Sequence, residues 1–98
     1  MRNTEKYAGK RVLVVGMARS GIAAAQLLCK AGARVIINDS KAAEQLGDSL
    51  KPLENLSLER RLGCPAMECL DGIDAMVISP VVPDNAPFVL KAKEMLSP

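Results

Sequence analysis

The chain has 98 residues, 49% of them hydrophobic and 24% charged, a composition that predicts one ordinary globular domain. A net charge of +2, one Tyr, one Phe and no Trp exclude the basic surface and aromatic platforms typical of nucleic-acid binding. No apolar run approaches the about 20 residues that cross a bilayer, so we expect no membrane contact. The N-terminus has no secretion signal and the cysteine count of three is odd, which together indicate a cytoplasmic protein with reduced thiols.

The first elements predict a βαβ unit. The run Arg-Val-Leu-Val-Val at 11–15 predicts a buried parallel strand. Residues 20–31 predict a helix that Ser20 caps and that Gly32 ends. A second strand is expected at 34–38, and the crossover between the two strands should be right-handed.

The rest of the chain continues the alternation of helices and strands. We predict a helix at 41–51, an outer strand at 56–61, helical turns at 65–70, a central strand at 75–78, a proline-rich loop at 79–85 and a helix at 87–96. This order indicates an α/β, Rossmann-like, doubly wound parallel sheet of order 3-2-1-4-5. No strand follows the last helix, so we expect one domain, 1–98, truncated before its last strand. The strand at 75–78 would then be an edge, through which the chain could self-associate.

A glycine-rich turn follows the first strand. Gly16 and Gly21 have the spacing of the phosphate-binding pattern G-x-G-x-x-G, but Ala18 replaces the middle glycine. Gly16 lets the chain turn, Gly21 lets the helix lie close to the strand, and the helix N-terminus suits a phosphate. A dinucleotide pyrophosphate approaches the middle position, so the methyl group of Ala18 disfavours NAD.

Four further residues could contact a ligand at the same edge of the sheet. Asp39 lies 18 residues after Gly21, close to the about 20 expected for an acidic residue that binds ribose; alternatively, it caps the next helix. Arg19 and Lys41 either pair with a phosphate or lie against a base, or they are solvated loop residues. Ser79 follows the predicted central strand and either binds a ligand at its carboxyl end or simply ends it.

Catalytic and metal-binding patterns are missing from the sequence. There is no histidine, no nucleophile elbow and no G-x-x-x-x-G-K-[ST] loop, so we expect no catalytic residue. Cys64 and Cys69 fit no common zinc spacing, so we expect no metal site. These features predict a binding domain, and an NAD(P)-binding module of a dehydrogenase or of a nucleotide-sensing regulator is one form it could take.

The chain resembles the N-terminal domain of the bacterial Mur ligases in three segments, GKRVLVVGMARSGIAAAQLL at 9–28, VIINDSK at 35–41 and DAMVISPVVPDNAPFVLKAKE at 74–94. The D-glutamate-adding members of the family are the most similar. The resemblance implies that the turn binds the UDP part of UDP-N-acetylmuramoyl-L-alanine at the carboxyl edge of the sheet. Family contacts carry over onto Arg19, Ser20, Asp39, Ser40 and Lys41. The chain departs from the family at Val81, where glycine usually lies against the nucleotide phosphates.

The resemblance also implies a reaction for the parent enzyme. In such a cytoplasmic enzyme of peptidoglycan synthesis, ATP and magnesium ions convert the substrate carboxylate to an acyl phosphate, which the amine of D-glutamate attacks. The ATP and amino-acid sites belong to a central and a C-terminal domain, so this fragment would hold no cofactor and would be inactive alone. Its candidate UDP-binding residues are Gly16, Ala18, Arg19, Ser20, Gly21, Asp39, Ser40, Lys41 and Ser79.

Overall fold

Four parallel strands form a single sheet in the computed structural model, which describes residues 7–96. The strands are β1 (Arg11–Val15), β2 (Arg34–Asp39), β3 (Glu59–Leu62) and β4 (Ala75–Ile78), and their order in the sheet is β3-β2-β1-β4. The helices are α1 (Arg19–Lys30), α2 (Ala43–Leu46) and α3 (Pro87–Leu96), with 3-10 helices at Gly47–Leu53 and Ala66–Cys69. The α/β, Rossmann-like fold and the predicted order of these four strands are confirmed.

The register of the sheet brings three strand ends to one level. Val15 at the end of β1 pairs with Asn38 of β2 on one side and with Ile78 of β4 on the other. Neighbouring strands lie about 4.8 Å apart, so the segments that follow these three residues begin side by side. The turn after β1 therefore lies between the segments that follow β2 and β4.

Both faces of the sheet are covered, which is why the strands are apolar runs rather than alternating ones. Val12, Val14, Val35 and Ile37 pack on the face that carries α1 and Leu53. The opposite face packs against the second 3-10 helix and α3 through Leu13, Val15, Ile36, Cys69, Leu70, Ile73 and Ala92. None of the helices in residues 7–96 combines the length and the apolar character needed to cross a bilayer.

The segment between β2 and β3 differs from the prediction. The helix expected at 41–51 is only the single turn of α2, after which a 3-10 helix runs to Leu53. Gly47 adopts a φ of +52°, which an α-helix does not use, and Pro52 has no N–H to donate to a preceding carbonyl. The outer strand is present, but β3 begins three residues later than the predicted 56–61.

The ends of α1 confirm one predicted residue and correct another. Gly32 follows the helix with a φ of +87°, as expected for a residue that ends a helix in the left-handed conformation. Ser20, however, does not cap α1, because it lies inside the first turn. The N-cap position belongs to Ala18, whose carbonyl oxygen accepts the first helical hydrogen bond from the Ile22 N–H at 3.0 Å and whose side chain forms no capping bond.

Candidate functional site

The turn after β1 depends on both of its glycines. Gly16 has a φ of +93°, where a side chain would be strained, and its N–H donates to the Asn38 carbonyl oxygen at 2.8 Å. Gly21 lies so close to the turn that a Cβ added there would overlap the Gly16 carbonyl oxygen. The predicted structural roles of the two glycines, a sharp turn and close helix packing, are confirmed.

The carboxylate of Asp39 connects two segments at the carboxyl edge. Its Oδ2 accepts a hydrogen bond from the Met17 N–H at 2.8 Å, and its Oδ1 accepts one from the Lys41 N–H at 2.9 Å. The alternative role as a helix cap is wrong, because Ala42 occupies the N-cap position of α2. Asp39 thus holds the turn after β1 against the end of β2.

The N-terminus of α1 presents unused donors beside this connection. The N–H groups of Ala18, Arg19, Ser20 and Gly21 donate to no acceptor among residues 7–96, and the helical bonds begin at Ile22. Such amides carry the partial positive charge of the helix end, which attracts an anion. The exposed Arg19 side chain adds a full positive charge at the first helical residue.

A cavity of about 230 Å³ opens at the carboxyl ends of β1 and β2. Its lining combines polar groups from the end of β2 with an aromatic side chain from α3, and consists of Val15, Gly16, Asn38, Asp39, Ser40, Ala66 and Phe88. Pockets that hold whole ligands usually measure about 300–1,000 Å³, so this cavity suits one ring-sized part of a larger ligand.

A second cavity of about 350 Å³ lies on the other side of the same turn. Residues of the turn and of α1 line it together with the 3-10 helix after α2, including Ala18, Arg19, Gln26, Asp48 and Ser49. A further cavity, of about 520 Å³, lies at the opposite edge of the sheet, where Arg11 and Arg34 begin β1 and β2. Open α/β sheets bind ligands at the carboxyl ends of their strands, so the two smaller cavities form the candidate site.

The turn after β4 has a different construction. The Ser79 Oγ accepts a hydrogen bond from the Val81 N–H at 3.3 Å, and the Ser79 carbonyl oxygen accepts one from the Val82 N–H at 3.0 Å. Because Oγ acts as an acceptor here, its hydroxyl hydrogen is available to a ligand. Val81 is 86% exposed, so its side chain packs against little of the surrounding protein.

The structure divides the predicted site residues between the two cavities and the exposed surface. Gly16, Asp39 and Ser40 share the smaller cavity, whereas Ala18 and Arg19 line the second one. Ser20 and Lys41 are exposed.

Sequence analysis missed three residues that line the two cavities, Phe88, Asn38 and Asp48. Of these, only Asn38 carried a signal in the sequence, as a polar residue in an apolar strand. Among the described residues, no cluster of three or more His, Cys, Asp or Glu side chains could hold a metal ion.

Comparisons with known proteins agree on one family. A family model described as Mur ligase MurD-like, N-terminal domain, matches residues 10–97. The chain is 40% identical over 94 residues to a UDP-N-acetylmuramoylalanine--D-glutamate ligase of Ligilactobacillus salivarius, and 41% identical over 95 residues to the protein of the same name from Geobacillus kaustophilus. These matches cover 96% of this chain in each case, but 20% and 21% of the relatives. The chain therefore spans about a fifth of the length of the curated relatives it matches.

A solved structure supports the fold alone. A UDP-glucose dehydrogenase from Pyrobaculum islandicum superposes with a TM-score of 0.58 over 79% of this chain and 22% of its own chain. The sequence identity is 22%, so the likeness extends to the Rossmann-like arrangement and not to the ligand or reaction.

Proposed function

The chain belongs to the family of MurD-like Mur ligase N-terminal domains, and we propose that it binds the UDP part of UDP-N-acetylmuramoyl-L-alanine. The observation that carries this proposal is the family match across residues 10–97, which includes both turns of the candidate site. In this proposal the parent enzyme is a cytoplasmic ligase of peptidoglycan synthesis that joins D-glutamate to the substrate and hydrolyses ATP.

The diphosphate of UDP fits the N-terminus of α1. The free N–H groups of Ala18, Arg19, Ser20 and Gly21 can donate to phosphate oxygens, and the Arg19 guanidinium can pair with their charge. The Ser79 hydroxyl follows the neighbouring strand and adds a donor from the opposite side of the turn. These groups bind an anion through hydrogen bonds and charge, without a metal ligand from this chain.

The nucleoside part fits the cavity of about 230 Å³ at the ends of β1 and β2. Phe88 offers an aromatic surface, while Asp39 and Ser40 offer polar groups for the edge of a base or for ribose hydroxyls. Each Asp39 oxygen already accepts one backbone N–H, which leaves a further lone pair on each for the ligand. In this proposal Lys41 contributes its charge from the exposed side of the site.

Catalysis belongs to the rest of the parent enzyme in this proposal. ATP and magnesium ions activate the muramoyl carboxylate as an acyl phosphate there, and D-glutamate is bound there as well. The residues of this chain bind and orient the nucleotide end of the substrate. We therefore expect the 98-residue chain to bind UDP compounds and to show no ligase activity on its own.

The experiment that tests the proposal is an NMR titration of the 98-residue chain with UDP and, separately, with NAD. UDP should shift the amide resonances of residues 16–21 and 39–41 at dissociation constants on the order of high micromolar to millimolar, since only part of the substrate is used. UDP-N-acetylmuramoyl-L-alanine should shift the same resonances. NAD should bind more weakly, because its pyrophosphate meets the methyl group of Ala18. Tighter binding of NAD than of UDP would overturn the proposal and favour an NAD(P)-binding module.

A further inference from the structure

Asn38 is the one buried polar side chain in the core of residues 7–96, and two cysteine sulfur atoms lie against it. Its Nδ2 donates to the carbonyl oxygens of Arg61 at 2.9 Å and Cys64 at 3.0 Å. The same nitrogen lies 3.5 Å from the Cys69 Sγ and 3.8 Å from the Cys64 Sγ. One amide nitrogen therefore brings together two thiols that the nucleotide site does not use.

The two thiols differ in access. Cys69 is only 4% exposed, and its Sγ lies 3.8 Å from the Pro65 carbonyl oxygen. Burial, reinforced by the neighbouring Cys64, raises the pKa of the Cys69 thiol. Cys64 is only half-buried. A reagent from solution therefore reaches Cys64 first, and the less accessible Cys69 reacts second.

We propose that Cys64 and Cys69 form a dithiol modification site, which low-molecular-weight disulfides such as oxidised glutathione convert to an intramolecular disulfide. The Cys64 thiolate attacks one sulfur of glutathione disulfide and expels a glutathione thiolate, which leaves a mixed disulfide on Cys64. Cys69 then loses its proton to water, and its thiolate attacks the Cys64 Sγ and expels the second glutathione. Two protein thiols are oxidised, and one small disulfide is reduced to two thiols.

Oxidation would act on the backbone beside the nucleotide turn. A disulfide holds its sulfur atoms about 2 Å apart, so at least one of them must move relative to the Asn38 Nδ2. Asn38 directly precedes Asp39, and the Gly63 N–H donates to the carbonyl oxygens of Asp39 and Lys41 at 2.9 and 3.0 Å. Any effect on UDP binding rests on the proposed function, whereas formation of the disulfide does not.

Mass spectrometry of the 98-residue chain after incubation with oxidised glutathione tests the proposal. The wild-type chain should become lighter by two hydrogens, and a peptide map should link Cys64 to Cys69. Cys69→Ser should stop at one glutathione adduct on Cys64, and Cys64→Ser should leave Cys69 unmodified. Cys29→Ser, which changes a half-buried thiol on the other face of the sheet, should form the disulfide like wild type.

Two results would overturn the assignment, and neither depends on the variants folding. One is a wild-type chain that accumulates a stable glutathione adduct with no intramolecular disulfide. The other is a disulfide that includes Cys29. The amide resonances of Met17 and Lys41 should also shift in the oxidised chain; shifts confined to residues 64–69 would overturn the coupling to the turn. Absence of UDP binding by the reduced chain would contradict the proposed function alone.

Discussion

Two turns at the carboxyl edge of the sheet follow neighbouring strands, yet they are held in opposite ways. The turn after β1 is fixed by partners distant in the chain, because Gly16 and Met17 donate to the backbone and side chain of residues 38 and 39. The turn after β4 is fixed only by its own residues, since Ser79 accepts both of its described hydrogen bonds.

This difference indicates how the two turns tolerate substitution. A turn fixed by distant partners presents its donors in one arrangement, so it is organised before a ligand arrives and is sensitive to single changes. A turn fixed by local bonds can adjust, and its exposed residues vary at low cost. The exposed Val81 lies in the adaptable turn, whereas both required glycines lie in the fixed one.

The largest expected effect comes from Gly21→Val, which breaks the fixed turn by overpacking. The new side chain would overlap the Gly16 carbonyl oxygen, which belongs to the backbone and cannot rotate away. We expect a loss of about 3 kcal/mol in the free energy of unfolding, or failure to fold, because overpacking costs about 1–3 kcal/mol even where side chains can adjust. Urea denaturation measures this loss.

Ala23→Val is the matched control, since it introduces the same final side chain, by adding its two γ carbons, at an exposed position of α1. We expect it to change the free energy of unfolding by about 0.5 kcal/mol, through the lower helix propensity of valine. Equal destabilisation by the two variants would contradict the close-packing role of Gly21.

The next largest effect is expected from Asp39→Asn, which keeps the shape of the side chain but replaces one of its two acceptor oxygens with an NH₂ group. The amide nitrogen of asparagine would face the N–H of Met17 or of Lys41 and leave that donor without a partner. Such a loss costs about 1–3 kcal/mol. We expect lower stability, faster hydrogen exchange at Met17 and weaker UDP binding. Glu44→Gln, the same chemical change at an exposed residue of α2, should do none of these. Weaker UDP binding with unchanged exchange at Met17 would make Asp39 a ligand contact only.

The elements of the first βαβ unit could be predicted from the sequence because their signals are local. A β-branched run, a glycine after it and an alanine-rich helix ended by Gly32 predict β1, α1 and β2 to within one residue at each end. The helix predicted at 41–51 is confirmed only in part, because Gly47, with a φ of +52°, ends the single α-helical turn of α2 and a 3-10 helix follows. The composition of a segment that contains Gly and Pro does not show whether the segment forms an α-helix or a 3-10 helix.

The arrangement of the candidate site was less predictable. The sequence identified Asp39 as important, but its bond to Met17 joins residues 22 positions apart and depends on the register between β1 and β2. The Asp74 side chain likewise accepts the Arg11 N–H at 2.9 Å and fixes the start of β1. Contacts of this kind follow from the assembled sheet and not from spacing along the chain.

A smaller effect is expected at the strand that precedes the adaptable turn. In the sheet of residues 7–96, β1 pairs on both sides, whereas β4 pairs only with β1. β4 carries no charge and no proline, and such edges invite pairing with another chain. We predict that the 98-residue chain self-associates through β4. Light scattering should show a mass that rises with concentration, while hydrogen exchange at 75–78 slows and that at 11–15 stays constant. A monomer at high concentration with fully protected β4 amides would contradict this.

The smallest expected effect is at Val81→Gly, which tests whether the adaptable turn can gain a contact without loss of stability. Because the Val81 side chain is 86% exposed, its removal should change the free energy of unfolding by no more than about 0.5 kcal/mol. Without the side chain, the turn can approach the UDP phosphates, and the Val81 N–H can exchange its 3.3 Å bond with the Ser79 Oγ for one with a phosphate oxygen. One such bond contributes about 1 kcal/mol, so UDP should bind about fivefold more tightly.

Val82→Gly separates this contact from simple backbone freedom. The substitution loosens the same turn, but the Val82 N–H already donates to the Ser79 carbonyl oxygen at 3.0 Å, within the turn. We expect no tighter binding of UDP by this variant, and lower stability, because the Val82 side chain is half-buried. If both variants bind UDP equally more tightly, flexibility of the turn is the cause. If neither does, the phosphates contact the fixed turn alone, and the turn after β4 contributes only the Ser79 hydroxyl.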